Sequence, residues 1–167
     1  MPERGQRRLV IDANVARSSG ETEHPASRKC REFLDATTEF GHRVVMTAEI
    51  QQEWRTHASR YASRWLTRMY ARKRVYRCAV GRDDQLRRRV ALVLPSSPDL
   101  HLVEAANATD GLVASQDERA RSALRRAAGR IGELRRIVWV NPVHCSETPI
   151  AWLRRGAMSE TGRQLGT

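Results

Sequence analysis

Four short apolar runs, each walled off by amphipathic stretches, leave this chain few folds to choose from. RLVID at 8–12, RVVMT at 43–47, GLVAS at 111–115 and the apolar centre of RRIVWVNP at 135–142 are rich in β-branched residues and too short for helices. The segments between them carry apolar residues at helical spacing. Strands alternating with helices predict an α/β fold: three layers, α/β/α, around a central and mainly parallel sheet.

The helices can be read from their ends. Pro25 suits the first turn of a helix whose Cys30, Phe33 and Leu34 share a face, and Gly41 suits its stop. Thr47 caps a helix opening AEIQQEW, which the spacing of Trp54, Ala58, Tyr61, Trp65 and Met69 carries on to about residue 77. Asp83 and Asp84 open a further helix that Pro95 ends. Ser97-Pro98-Asp99 begins one that reaches about Thr109, and DERARSALRRAAG follows the third apolar run. The 167 residues are expected to form one main domain over 1–142, with an Arg-rich helical segment at 54–93. Residues 143–167 are expected to be a docking segment around Ile150, Trp152 and Leu153 with a loose tail.

Charge narrows the class of partner. The formal net charge is +11, nearly all of it arginine, since Lys29 and Lys73 are the only lysines. Arginine binds phosphate in a planar, bidentate manner, so nucleic acid leads the partner classes. No run approaches the roughly 20 apolar residues of a membrane span, and the basic N-terminus has no apolar signal-peptide core behind it. A cytoplasmic protein with no membrane association is expected. Cys30, Cys78 and Cys145 are few, odd in number and far apart, which fits reduced thiols.

The acids carry the chemical signal. Asp12 ends the first strand, Glu49 and Glu53 lie one turn apart on the helix after the second, and Asp99 falls in a first helical turn. Asp117 directly follows GLVAS. Four separate segments thus bring carboxylates to the end of the sheet where α/β folds keep their chemistry. Each acid has a plainer reading alone: Asp99 and Glu49 answer a helix dipole, and Asp117 caps a helix. Gathering them at one edge would be costly without a cation among them, and oxygen-only ligands favour Mg²⁺ or Mn²⁺.

These residues resemble the PIN-domain nucleases. The resemblance rests on VIDANV at the first strand end, Glu53 in MTAEIQQEW, Asp99 followed by Ala105-Ala106, and Ser115-Gln116-Asp117, taken in order and spacing over residues 8–142. It implies catalytic and metal-holding roles for Asp12, Glu53, Asp99 and Asp117, with Glu53 either holding metal or orienting the attacking water. Asn14, Ser115 and Glu49 are then the outer hydrogen-bonding partners. Glu53 is preferred over Glu49 because an apolar residue immediately follows it, as in the pattern. The implied activity is metal-dependent endoribonuclease cleavage of single-stranded or structured RNA. Small stand-alone members are often toxins of toxin–antitoxin pairs, which implies an antitoxin partner and a homodimer. A non-catalytic nucleic-acid-binding module and a DNA-directed flap or single-strand nuclease are the alternatives. An aspartyl phosphatase is disfavoured, because no second Asp stands two residues after Asp12.

Remaining features have bland and sharp readings side by side. Arg60, Arg64, Arg68 and Arg72 recur every four residues and form either a solvated face or a phosphate-binding stripe. The tryptophan seam is expected to be core or dimer interface before it is a base-stacking platform. His57, His101 and His144, with Cys145, lack zinc-site spacing and are expected at or near the surface. Glu104 and Asp110 are expected to be exposed or structural.

Overall fold

Strand β1 (Arg8–Ile11) lies at the centre of a five-stranded sheet, paired in parallel with β2 (Arg43–Met46) on one side and β4 (Leu112–Ala114) on the other. Beyond β2 lies β3 (Val75–Arg77) and beyond β4 lies β5 (Val138–Val140), giving the order β3-β2-β1-β4-β5 with every pairing parallel. The computed structural model describes residues 5–96, 98 and 100–167. Every residue of β4 and β5 is buried. Successive side chains of a strand point to opposite faces, so both faces of the sheet are covered there, which fits the expected three layers.

Helices α1 (Ala13–Ser18) and α2 (Pro25–Glu39) connect β1 to β2. The chain leaves α2 through Gly41 at φ +79°, where a Cβ would also meet the Arg74 guanidinium at 3.0 Å. After β2 come α3 (Ala48–His57), capped by Thr47 Oγ1 accepting from Ile50 N at 3.1 Å, and α4 (Arg60–Ala71). The single helix expected to about residue 77 is therefore two helices and a strand. Ser59 makes the break: its hydroxyl caps α4, and its N–H donates to Ala16 O of α1 at 3.1 Å. Trp54 and Trp65 stack across that break, 5.9 Å apart, rather than along one continuous helix. Their indole N–H groups donate to Ile11 O and Leu34 O, so the tryptophan seam is core.

Strand β3 was hidden by its own composition. It is an edge strand of three residues, only half buried and ended by Arg77, so it continues the arginine pattern of α4. The Arg8 guanidinium covers the Tyr76 ring at 4.6 Å. Next come α5 (Asp84–Val93), capped by Asp83, and α6 (His101–Asn107), which leads into β4. The expected cap Ser97 and first-turn acid Asp99 lie outside the described residues. Helices α7 (Glu118–Ala128) and α8 (Gly132–Arg135) connect β4 to β5. Among the described residues, no helix is long and apolar enough to cross a membrane.

The C-terminal segment docks as expected, but its tail is not loose. Helix α9 (Pro149–Arg154) packs on α2, with Trp152 and Leu153 fully buried. Leu165 is 1 % exposed; its N–H donates to Ile137 O at 2.9 Å, and Gln164 forms an antiparallel bridge to Val138. An apolar side chain with a free sheet edge to cover outweighs the polar look of SETGRQLGT.

His42 joins this segment to the sheet. Its buried ring accepts from Arg7 N at Nδ1 (3.1 Å), which leaves Nε2 to donate to Leu153 O at 2.8 Å. Burial foremost, with Arg7 and Arg74 nearby, pulls its pKa below the ordinary 6.5. The unfolded chain therefore binds a proton that the folded chain refuses. Stability from this group is whole above about pH 6.5 and is lost as pH falls toward the depressed folded value, with a slope of at most about 1.4 kcal/mol per pH unit. Urea titrations between pH 8 and pH 5 check this: His42→Gln is expected to lower stability at pH 8 and to flatten its fall below pH 6.5.

Candidate functional site

The sheet order fixes where a site belongs. From β1 the chain moves outward to β2 and β3, then returns to place β4 on the other side of β1. Connections leave in opposite directions at β1 and β4, and the crevice past their C-terminal ends is the usual ligand position in open parallel sheets. Asp12 follows β1 and Asp117 stands three residues beyond the end of β4.

Ser115 ties these two ends together. Its buried hydroxyl donates to Asp12 Oδ2 at 2.7 Å and accepts from Asp117 N at 3.1 Å and Asn14 Nδ2 at 3.2 Å. Asp12 N donates to Ala114 O at 2.9 Å, and Asp12 Oδ1 caps α1 by accepting from Asn14 N at 3.2 Å. Asn14 reaches back across the crevice, accepting from Gln116 N at Oδ1 (3.2 Å). Gln116 Nε2 completes the clasp on Asn14 O and Ser18 Oγ, at 2.9 and 2.8 Å. Asn14 and Ser115 both hydrogen-bond around Asp12, and Gln116 is a third member of this network that the sequence did not mark out.

Glu53 enters from α3. Together with Asp12, Ala13, Asn14, Arg17 and His57 it lines one open cleft. Its Oε2 lies 2.9 Å from Nε2 of His101, a residue only 4 % exposed at the start of α6. The expectation of a surface or half-buried His101 is corrected here, while His57 and His144 are exposed. A lone histidine in an apolar helix has no sequence signature of a carboxylate partner 48 residues away, so this one was missed. Glu49 is exposed and lines a second hollow with Thr47, Val80, Arg82, His101 and Glu104. Position in the cleft therefore favours Glu53. Asp117 is exposed and also caps α7, accepting from Ala120 N at 2.9 Å, so its plain reading holds beside the sharper one. Asp99 lies outside the described residues.

Burial foremost raises the pKa of Asp12, with the nearby Asp117 charge acting in the same direction. The Ser115 hydroxyl, the Asn14 N–H and His101 oppose the rise without cancelling it. A carboxylate held against its desolvation penalty is a ready ligand, and its two hydrogen bonds leave lone-pair capacity. Asp12 and Glu53 line the same cleft, whereas the Asp117 carboxylate caps α7 beside it. Among the described residues these three do not bring their ligand atoms together as Glu118, His144 and Glu147 do.

Other acids are accounted for by partners. Glu104 is buried and meets Arg87 Nη2 at 2.5 Å, while Asp110 accepts from Arg8 N at 2.7 Å and Arg8 Nη2 at 2.8 Å, so both are structural. Glu118, His144 and Glu147 bring ligand atoms within 4.8 Å of one another, but a cation already sits among them. Arg121 reaches both Glu147 oxygens at 2.9 and 3.0 Å and Glu118 Oε1 at 3.2 Å. The arginines at 60, 64, 68 and 72 are all exposed along α4 and its C-terminal cap, starting beside the Ser59 contact with α1. Among the described residues, Arg64 is the one of these four that pairs with an acid, Glu21 at 3.7 Å. Comparison with protein-family models, curated proteins and solved structures finds no match for this chain.

A raised folded-state pKa means that Asp12 stabilises the fold fully only below its ordinary carboxyl value, a contribution lost as pH rises through the folded value. At pH 7 the metal-free Asp12→Asn protein is thus expected to melt no lower than the unmodified chain. Mn²⁺ at about a hundred times its Kd should raise the melting point of the unmodified chain by about 5–10 °C, and that of the variant by less than half as much. Calorimetry with and without Mn²⁺ checks both outcomes; a large metal-free loss would make Asp12 a structural acid.

Proposed function

We propose that this protein is a PIN-like, metal-dependent endoribonuclease. The observation that carries the reading is the Ser115-linked pair of strand-end acids, Asp12 and Asp117, at the β1/β4 crevice with Glu53 in the same cleft as Asp12. That arrangement joins the motif order in the sequence to the place where parallel sheets bind ligands. A basic chain surrounding an acidic crevice adds the second argument, since its net charge of +11 attracts the polyanion that the acids alone would repel.

The proposed division of labour follows from position. Asp12 and Asp117 would hold the cation, joined by Asp99 on the family resemblance alone, while Ser115 fixes the Asp12 carboxylate and Asn14 keeps the two strand ends in register. A bound divalent cation supplies Lewis acidity at the phosphoryl group and lowers the pKa of nearby water. Glu53, half exposed at the cleft wall, orients the attacking water and takes its proton as the bond from phosphorus to the leaving oxygen breaks. Exposed arginines of α4 hold flanking phosphates. RNA is preferred over DNA on the family resemblance, and a toxin role with an antitoxin partner is proposed on the same basis.

Labelled single-stranded RNA and DNA incubated with the purified protein in Mg²⁺, Mn²⁺ or EDTA test the reading. RNA is expected to be cut internally with either metal and left intact in EDTA. Asp12→Asn and Asp117→Asn are expected to lose more than the about 10–100-fold that removing an outer-shell partner costs. Cleavage that persists in EDTA, or an unaltered rate in both variants, would sink it. Preferred cutting of DNA would move the substrate and leave the site assignment standing.

The arginine stripe is tested separately, by affinity. In EDTA, where no cleavage is expected, Arg64→Gln with Arg68→Gln should weaken RNA binding across sequences. Each lost phosphate contact should flatten the slope of log K against log salt by roughly 0.7. An unchanged slope would assign the stripe to the solvated surface.

A further inference from the structure

We infer that His101 is a positioning residue for Glu53, fixing its carboxylate in the cleft that Asp12 also lines; the inference rests on the nuclease reading above. The two side chains meet at 2.9 Å, between Nε2 of His101 and Oε2 of Glu53. Their burial is unequal, and the difference gives the contact its direction. His101 is 4 % exposed, set by the packing of α6 against β1, β4 and α3, whereas the Glu53 side chain is 30 % exposed and faces the cleft. The rigid partner orients the mobile one. A glutamate on an open helix face samples several rotamers, and a group that must direct a water cannot tolerate that freedom.

The surroundings explain why a histidine fits. His101 lines the second hollow beside Glu49, Arg82 and Glu104, and its link to the acid cleft is its contact with Glu53. Glu104 is engaged by Arg87 and the Asp83 N–H, while Nε2 of His101 meets Glu53. His101 also acts through space on Asp12, favouring its charged form against burial. One imidazole thereby touches one proposed site acid and lies close to a second. An outer hydrogen-bond partner of this kind is commonly worth about 10–100-fold in metal affinity or activity.

Three substitutions separate positioning from packing. Gln at 101 carries an amide nitrogen near the place of Nε2 and can donate to Glu53; Leu fills similar space and cannot; Glu53→Gln removes the group being positioned. Each would be compared with the unmodified chain by metal-free melting, Mn²⁺ titration followed by electron paramagnetic resonance, and steady-state cleavage of single-stranded RNA. We expect His101→Leu to lower kcat or Mn²⁺ affinity by about 10–100-fold with KM for RNA changed less than about threefold. His101→Gln should recover most of the loss, and adding Glu53→Gln to His101→Leu should cost little more than Glu53→Gln alone. Equal damage from Leu and Gln tracking the metal-free melting point, or full activity and Mn²⁺ affinity in His101→Leu, would overturn the inference while leaving the nuclease reading intact. An unmodified chain that neither binds Mn²⁺ nor cuts RNA would overturn both.

Discussion

One hydroxyl joins the halves of the proposed site. Ser115 Oγ is buried, so each of its three hydrogen bonds is made without competition from water, and together they hold Asp12, Asn14 and the Asp117 backbone. The distance between the β1 and β4 ends is therefore set by a side chain as well as by the sheet ladder. A valine of similar size at this position would leave the Asp12 carboxylate and the Asp117 N–H without their partner, where burial makes such a loss expensive. Asn14 and Gln116 add a second tie over the same crevice, so the ends of β1 and β4 are held together by a satisfied polar network.

Around this crevice the molecule sorts its acids by the partners they are given. At the crevice Asp12 and Asp117 are held by the Ser115 hydroxyl, the Asn14 N–H and the Ala120 N–H, and Glu53 meets His101. Elsewhere carboxylates are matched to arginine: Asp110 to Arg8, Glu104 to Arg87, Glu147 to Arg121. The contrast separates the two kinds of acid better than burial does. A guanidinium beside Asp12 would settle its charge and leave nothing for an incoming cation to do.

Much of the fold was legible because its strands are short, apolar and well bounded. The four runs around Val10, Val45, Val113 and Trp139 all became strands, and the caps at Thr47 and Asp83 behave as their types require. What failed had a shared cause. At 58–77 the helical spacing of Trp54, Trp65 and Met69 is real, yet it comes from two helices facing one another, and a periodicity argument cannot see the turn at Ser59. Val75-Tyr76-Arg77 is a strand only because β2 offers it a partner. Within the proposed site, the acids at strand ends are marked by order and spacing. His101 and Gln116 did not, since their roles depend on contacts across 48 and 102 residues of chain. Local pattern reveals what a residue does for its own element and little of what it does for another.

The two edges of the sheet are finished differently, and this bears on how the protein behaves when concentrated. At the β3 edge a short, half-buried strand ends in Arg77, so charge discourages a second copy from adding to it. At the β5 edge protection comes from the tail, through the Gln164 bridge to Val138 and the Leu165 contact with Ile137. Strand β5 reads VWV and is wholly apolar. A protease nick or an ill-chosen truncation near Gln164 would uncover it as a sticky template, and intermolecular strand pairing would then follow from the loss of only a few residues. The Gln164–Leu165 pairing thus guards this edge against the addition of a further strand.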